Sequence, residues 1–262
     1  MATYEEIKKH WDSSSGKDEL YKSSWDDLYM LQKEMSEISK YIVGFEEICD
    51  VGCNNGYCDF ILLSLFKTIK ITGIDYSDKL ILEAQQNPDV IKYKDRINFK
   101  VGNVLDVQSY PNKKFDIILI KRVLINLNTE EDQIQALLNL KILLKDGGRI
   151  ILTEAVEENW RKLNNIREEC GLYELKQPWH NKYLTKNIID LLYSNFKVER
   201  DDDYSSSYYL MSRVFNPLIK QLINDKNLNY LSEFNKMASL IPNFGDYGIQ
   251  RLFVLSNKRE IK

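Results

Sequence analysis

The 262-residue chain is poor in the residues that most often carry chemistry, with two histidines, four cysteines and five prolines. The cysteines, at 49, 53, 58 and 170, form no C-x-x-C pair, so no metal site is expected. They read instead as small, reduced residues packed in a core, without a disulfide. Excess charge is lacking as well. Thirty-six basic side chains against 39 acidic ones leave a net charge of −3 and no basic field for a phosphate backbone. Nucleic acid is therefore not expected as the main partner. No apolar run reaches the roughly 18 residues of a membrane span, and the segment from Met1 to Ser15 is polar with interspersed charges. The expectation is a soluble, cytoplasmic, single-domain protein without membrane insertion, repeats or low-complexity tracts.

What is present is a regular alternation of strand and helix patterns. Two helices come first, Thr3 to Trp11 and Trp25 to Ile42, the second with apolar residues at helical spacing. The polar segment Asp12 to Ser24 between them reads as a linker or a flap, too polar to be core. Strands are predicted at Glu46 to Val51, Lys70 to Ile74, Ile97 to Val101, Phe115 to Ile120 and Arg149 to Val156, with helices between them. The helix Thr129 to Leu144 is expected to end at Gly147-Gly148. Repeated βα units predict a doubly wound, mostly parallel α/β sheet. A helix at Trp160 to Cys170, a loop at Gly171 to Tyr183, a helix after Thr185 and strands at Phe196 to Glu199 and Gly248 to Ser256 complete the pattern. The insert between the last two strands reads as mostly helical, with breaks at Pro217 and Pro242. Asp201 to Asp203 reads as a solvated strand end.

Chemistry gathers at strand ends. Asp50-Val51-Gly52-Cys53-Asn54-Asn55-Gly56 is a strand that breaks into a glycine turn and enters a helix near Tyr57, which exposes backbone N–H groups at the carboxyl edge of the sheet. Asp75 ends the second strand, where one carboxylate can accept from two ribose hydroxyls. Asn103, after the third strand, can offer an amide to a base edge. The three positions share one edge and describe a nucleoside site. The spacing is not G-x-G-x-x-G, which disfavours a dinucleotide dehydrogenase.

Over residues 45 to 156 the chain resembles class I S-adenosylmethionine-dependent methyltransferases. Their D/E-x-G-x-G-x-G motif is matched by Asp50 to Gly56, their ribose acid by Asp75 in Gly73-Ile74-Asp75, and their G-D adenine motif by Gly102-Asn103. Phe115-Asp116-Ile117-Ile118 and Leu144-Lys145-Asp146-Gly147-Gly148 match two further motifs. Asn54 stands where the middle glycine is usual, and asparagine is the non-glycine residue most at ease at positive φ. Asn103 replaces the usual acid and keeps a carbonyl oxygen that can accept from an adenine amino group. The resemblance implies a seven-stranded, Rossmann-like sheet with N-terminal helices (1–44), a cofactor core (45–156), substrate segments (157–184 and 205–247) and a helical lid between the last two strands. It also implies S-adenosylmethionine as donor and S-adenosylhomocysteine as product. Cofactor contacts are expected from Tyr21, Ser24, Asp50, Gly52, Cys53, Asn54, Gly56, Asp75, Tyr76, Asn103, Val104, Lys121 and Arg122.

For the transfer, the acceptor must lie in line with the methyl, and a hydroxyl acceptor needs a base. His180, in the loop Gln177-Pro178-Trp179-His180-Asn181-Lys182-Tyr183, is the candidate base, since imidazole titrates near neutrality. Glu154, Asn165, Arg167, Trp179, Asn181, Tyr183, Tyr208, Tyr209 and Arg213 are candidate acceptor contacts. Arginines among tyrosines suit a phosphate or carboxylate. The expected activity is methylation of an oxygen on a polar, anionic small molecule. N-methylation of an amino sugar or small amine is the alternative, and a non-catalytic S-adenosylmethionine-binding subunit a second one. Short motifs around Trp11, Lys22 to Asp27, Lys121 to Leu127 and the Trp179 loop are similar to bacterial small-molecule methyltransferases found with surface-polysaccharide genes. Capsule phosphoramidate O-methylation is one activity that this likeness implies. Oligomeric state is not legible.

Overall fold

The computed structural model describes residues 2–225 and 229–258. Seven strands form one sheet: β1 (Glu47–Val51), β2 (Lys70–Asp75), β3 (Ile97–Val101), β4 (Phe115–Lys121), β5 (Leu144–Ala155), β6 (Phe196–Asp202) and β7 (Gln250–Asn257). Their order is β3-β2-β1-β4-β5-β7-β6. The first five run parallel, and β7 runs antiparallel between β5 and β6. Because β1 sits where the order reverses, the ends of β1, β2 and β4 open onto the crevice in which doubly wound sheets bind ligands. Strand alternation distributes the core. Ile48 packs into the apolar cluster on one face, whereas Cys49 and Val51 pack into the cluster on the other.

The helices are α1 (Tyr4–Asp12), α2 (Leu28–Ser39), α3 (Tyr57–Leu65), α4 (Asp78–Gln86), α5 (Asp89–Lys92), α6 (Glu130–Ile142), α7 (Glu157–Glu169), α8 (Lys186–Asn195), α9 (Ser206–Leu210), α10 (Asn216–Leu222) and α11 (Glu233–Leu240). Local chemistry explains several of the starts. Thr3 and Glu6 form a capping box at α1, and the side chains of Asp27, Ser77 and Thr129 cap α2, α4 and α6. No helix among the described residues is long and apolar enough to cross a membrane.

The fold departs from the sequence expectation at four places. Tyr21 and Ser23, in the segment expected to be too polar for core, are buried. Gly147-Gly148 does not end α6, which stops at Ile142; it lies inside β5, where pairing with β4 shifts register between Phe115 and Ile117. Gly147 takes φ +77°, and a Cβ on Gly148 would approach three backbone carbonyl oxygens at 3.0–3.1 Å, so the irregularity requires glycine. Asp201 pairs with Arg251, and Asp203 accepts from the backbone of Ser205 and Gly248, so the acidic run is built into the structure.

The fourth departure is at Pro217, which does not break the insert. Helical winding continues from α9 through a π-helical turn, Met211–Phe215, into α10, with Pro217 in the first turn of α10. Proline supplies no N–H to the carbonyl four residues back, which belongs to Arg213. That carbonyl accepts from Arg167 Nη1 instead. The break expected at Pro242 is present, since α11 ends at Leu240. Of the insert expected to be helical, residues 226–228 lie outside the described residues.

Candidate active site

The turn after β1 is held open by its backbone. The amides of Gly52 and Cys53 donate to the carbonyl of Ile74 at 2.7 and 3.1 Å. Gly52 has φ +73°, and a Cβ there would sit 2.3 Å from Val123 Cγ2, so only glycine fits. Asn54 adopts the left-handed conformation, φ 56°. Its amide donates to Asp75 Oδ2 at 2.8 Å, and its Nδ2 donates to the carbonyl of Ser23 at 3.2 Å. Asn55 Nδ2 donates to Leu20 O and to Glu83 Oε1, both at 3.0 Å. The two asparagines thus fasten the segment before α2 onto the turn, as a flap rather than a free linker.

Asp75 ends β2. Its Oδ1 accepts from the Ser77 amide at 2.9 Å and its Oδ2 from Asn54, which leaves each oxygen capacity for another bond. Burial pushes its carboxyl up to about 6, against the opposing pull of these amides. Asn103 Oδ1 accepts from the Leu105 amide at 2.9 Å and so keeps one lone pair free. Tyr110 is buried nearby, and its hydroxyl has no hydrogen-bond partner.

Two buried ion pairs stand at the end of β4. Lys121 Nζ contacts both oxygens of Asp50. Arg122, at φ 56°, pairs with the buried Glu34 of α2, donates to Ser24 Oγ at 2.8 Å and stacks 4.5 Å from the Trp25 ring. Each cation is matched by an acid, as burial demands. Glu154, at the end of β5, accepts from the amides of Val123 and Leu124, both at 2.7 Å, and fixes the loop after β4. Burial pushes its carboxyl up to about 8, with those amides pulling the other way.

Above these residues lies a cavity that, with the open solvent at its mouth, encloses about 950 Å³ of empty space. Of the expected cofactor residues, Ser24, Gly52, Asn54, Asp75, Tyr76, Asn103, Val104, Lys121 and Arg122 line it. Tyr21, Asp50, Cys53 and Gly56 do not. Asp50 is spent on Lys121, Cys53 and Tyr21 are packed in the core, and Gly56 is the left-handed N-cap of α3.

The wall that the sequence did not reveal is α1. Tyr4, Ile7 and Trp11 line the cavity, with Tyr110, Val123, Asn126 and Leu127. Tyr4 binds Asp132 of α6, Trp11 Nε1 donates to Asn126 Oδ1 at 3.3 Å, and Lys8 pairs with Asp78 of α4. The helix therefore lies as a strap across the carboxyl edge of the sheet. Its spacing marks an amphipathic helix, but nothing in that spacing says what the apolar face covers.

None of the expected acceptor residues lines the cavity. His180 sits behind Trp11, with its ring stacked on His10 at 4.1 Å and Nδ1 buried without a partner. Burial and the neighbouring His10 lower its pKa to about 4. Trp179 is exposed and edge-on to His10, and the Asn181 side-chain carbonyl is buried without a partner. Tyr183 packs edge-on to Trp160. Asn165 faces solvent, while its neighbour Asn164 makes the contacts, to Leu175. Arg167 serves the carbonyls of Tyr173 and Arg213. Arg213 pairs with Asp27, to which Tyr208 also donates at 2.6 Å, and Tyr209 packs against Tyr208. Glu154 supports the loop described above. Of these side chains, Arg213 and Tyr208 fasten the insert to Asp27 at the start of α2, and Arg167 ties it to α7. Among the described residues no cluster of histidine, cysteine and acids could hold a metal ion.

A strand order of β3-β2-β1-β4-β5-β7-β6, with a glycine turn facing an acid across the crevice, defines a class I S-adenosylmethionine-dependent methyltransferase. A family model described as a methyltransferase domain matches residues 45–239, and the chain belongs to that family. The tRNA U34 carboxymethyltransferase of Nautilia profundicola is 35% identical over 171 residues, covering 61% of this chain and 54% of that protein. A probable methyltransferase, ltbC, of Aspergillus luteorubrus is 25% identical over 133 residues, covering 49% and 47%. The chain thus spans about half the length of these curated relatives. Among solved structures, the N-methyltransferase NodS of Bradyrhizobium japonicum WM9 with S-adenosyl-L-homocysteine aligns at TM-score 0.61 and 14% identity, over 97% of this chain and 99% of that one. Magnesium protoporphyrin IX methyltransferase of Synechocystis PCC 6803, also with S-adenosylhomocysteine, aligns at 0.58 and 16%, over 95% and 94%. At such identities these two likenesses carry the fold alone. The residues present suit the donor: Asp75 keeps free acceptor capacity, Asn103 Oδ1 keeps a free lone pair, and the buried Tyr110 hydroxyl has no protein partner.

Proposed function

We propose that the enzyme methylates an acceptor that reaches the cavity already deprotonated, an oxygen of a carboxylate or phosphate-type group on a polar small molecule. One observation carries this reading: the described residues lining the cavity include no histidine or glutamate, and burial raises the phenols of Tyr4 and Tyr110. Lys121 and Arg122 are cations held by Asp50 and Glu34, and Asp75 faces the nucleoside end. S-Adenosylmethionine supplies a methyl already activated by its sulfonium charge. The protein's part is then alignment and exclusion of water, and a nucleophile with a pKa below neutrality needs no base. The turn from Gly52 to Asn54 would cradle the amino-acid end, Asp75 the ribose, and Asn103 with Tyr110 the adenine. The strap α1 covers the cavity and favours a small acceptor over a polynucleotide. A phosphoramidate or sugar-nucleotide intermediate of surface-polysaccharide synthesis, met in the cytoplasm, belongs to this acceptor class.

An amine acceptor is the second reading, since it too can lose its proton to water. The tRNA-modifying relative raises RNA as a further acceptor to assay. The test is a labelled-methyl assay over acidic metabolites, amines and bulk tRNA, followed by a pH–rate profile on any acceptor found. At saturating donor, a profile flat from about pH 7 to 9 supports the deprotonated oxygen. A profile rising with unit slope to the pKa of an ammonium, or incorporation into tRNA alone, overturns it.

A further inference from the structure

Beneath the glycine turn is a group that the reading above does not use. Asp59, in the first turn of α3, is fully buried, and neither of its carboxyl oxygens has a hydrogen-bond donor. Its charged neighbours are Asp50 from β1 and Lys121 from β4, which already hold each other. Two acids and one lysine in a sealed space are neutral only if one acid keeps its proton. Lys121 grips both oxygens of Asp50, so the proton belongs to Asp59. Burial and the Asp50 charge raise the Asp59 carboxyl well above the ordinary carboxylate range. The other titratable groups around it do not exchange protons near neutrality. Burial raises the thiols of Cys49, Cys53 and Cys58, the last to about 12, and Glu34 on α2 is paired with Arg122.

The cluster is in electrostatic contact with the cavity, because Lys121 lines it and Asp50 touches Lys121. The N-terminal dipole of α3 favours a negative charge in its first turn, so the ionised form of Asp59 is held back by burial and by Asp50. A cation arriving in the cavity tips that balance. We propose that Asp59 is a specificity-determining acid for the charge state of the cofactor: binding of S-adenosylmethionine, with its sulfonium cation, releases the Asp59 proton to solvent, whereas binding of S-adenosylhomocysteine leaves it in place. The balance is simple, since the buried carboxylic acid becomes a carboxylate and one proton leaves. By linkage, affinity for the donor rises with pH relative to affinity for the product. Asp59 would thus help the enzyme distinguish donor from product through a group that touches neither.

This inference rests on the cofactor site proposed above, and its test separates the two. Calorimetric titration of the full chain with each ligand, in buffers of different ionisation enthalpy, gives the protons released on binding. Asp75 lines the cavity and also responds to the sulfonium charge, so the share of Asp59 is assigned by Asp59→Asn, which leaves Asp75 in place. We expect S-adenosylmethionine to release more protons than S-adenosylhomocysteine near pH 7. The difference should shrink in Asp59→Asn. Difference infrared spectra of the unsubstituted protein give an answer that does not depend on the variant folding, because a protonated-carboxyl C=O band should be lost on adding the donor but not the product. Equal proton release by the two ligands, an unchanged difference in Asp59→Asn, or no loss of that band overturns the role of Asp59. Failure of both ligands to bind overturns the site itself.

Discussion

The amide of Asn54 donates to Asp75 Oδ2 at 2.8 Å, and this bond ties the turn after β1 to the acid that ends β2. A left-handed residue is needed to aim that amide across the crevice, and asparagine reaches φ 56° at little cost. The side chain that departs from the family pattern has a second use, since it anchors the flap through Ser23. Asn54→Gly should keep the turn and lose the anchor. We expect S-adenosylhomocysteine affinity to fall only ~3–10-fold, consistent with one hydrogen bond of about 1 kcal/mol. A loss above ~100-fold by calorimetry would mean that the side chain itself holds the ligand.

In the proposed cofactor site, Asp75 should make binding sensitive to pH. Its folded pKa, about 6, lies above the ordinary carboxylate value. A raised acid favours the folded state while it is protonated, so its contribution to stability declines as pH rises from the unfolded pKa toward 6 and is constant above. Binding runs the other way, because the ionised carboxylate is the better acceptor for ribose hydroxyls. Affinity for S-adenosylhomocysteine should therefore fall several-fold between pH 7.5 and 5, and Asp75→Asn should be weak and nearly flat over that range. Calorimetry at four or five pH values decides this. An unchanged slope in the variant would place the titrating group elsewhere.

Glu34 is the buried counter-charge of Arg122, and removing it strands a cation at the cavity wall. Breaking one partner of a buried pair costs about 3–5 kcal/mol. Glu34→Ala should lower the denaturation midpoint sharply. The paired variant Glu34→Met with Arg122→Met should recover much of the loss in stability while still disturbing the cavity. If Glu34→Ala unfolds at the same denaturant concentration as the parent, the pair is unimportant to folding.

The strand-end wall of the cavity, the proposed cofactor side, was legible in sequence because strand ends impose it. Gly52, Asn54, Asp75 and Asn103 must follow their strands whatever else the chain does, and parallel pairing brings them to one edge. The acceptor side carries no such local rule. Arg167, Arg213 and Tyr208 look like ligands for an anion in sequence, yet tertiary packing uses them to clamp the insert to Asp27 and to its own carbonyls. The strap residues Tyr4, Ile7 and Trp11 look like ordinary helix packing and become a cavity wall, since only the fold says what an apolar face meets. His180 illustrates both limits: its chemistry suits a base, and its place behind Trp11 makes it a stacking partner for His10. His180→Ala should change turnover by less than about threefold, where loss of a general base costs ~10²-fold or more. A fall of that larger size with S-adenosylmethionine affinity intact would restore the catalytic role.

Pro217, Arg167 and Arg213 form a set whose energetics can be taken apart. Pro217 lacks the N–H that would meet the Arg213 carbonyl, and Arg167 Nη1 supplies the missing donor from α7. Arg167→Ala should leave that carbonyl without a donor and cost about 1–3 kcal/mol. Arginine 167 also serves Tyr173, so the single variant alone cannot assign the loss to one carbonyl. Pro217→Ala restores a backbone donor one turn on and allows regular α-helical winding through Met211–Phe215. In that background the cost of Arg167→Ala should shrink by ~1 kcal/mol, which a double-mutant cycle measures from chemical denaturation. Strict additivity of the two substitutions would show that the arginine and the proline act independently, and that the π-helical turn has another cause.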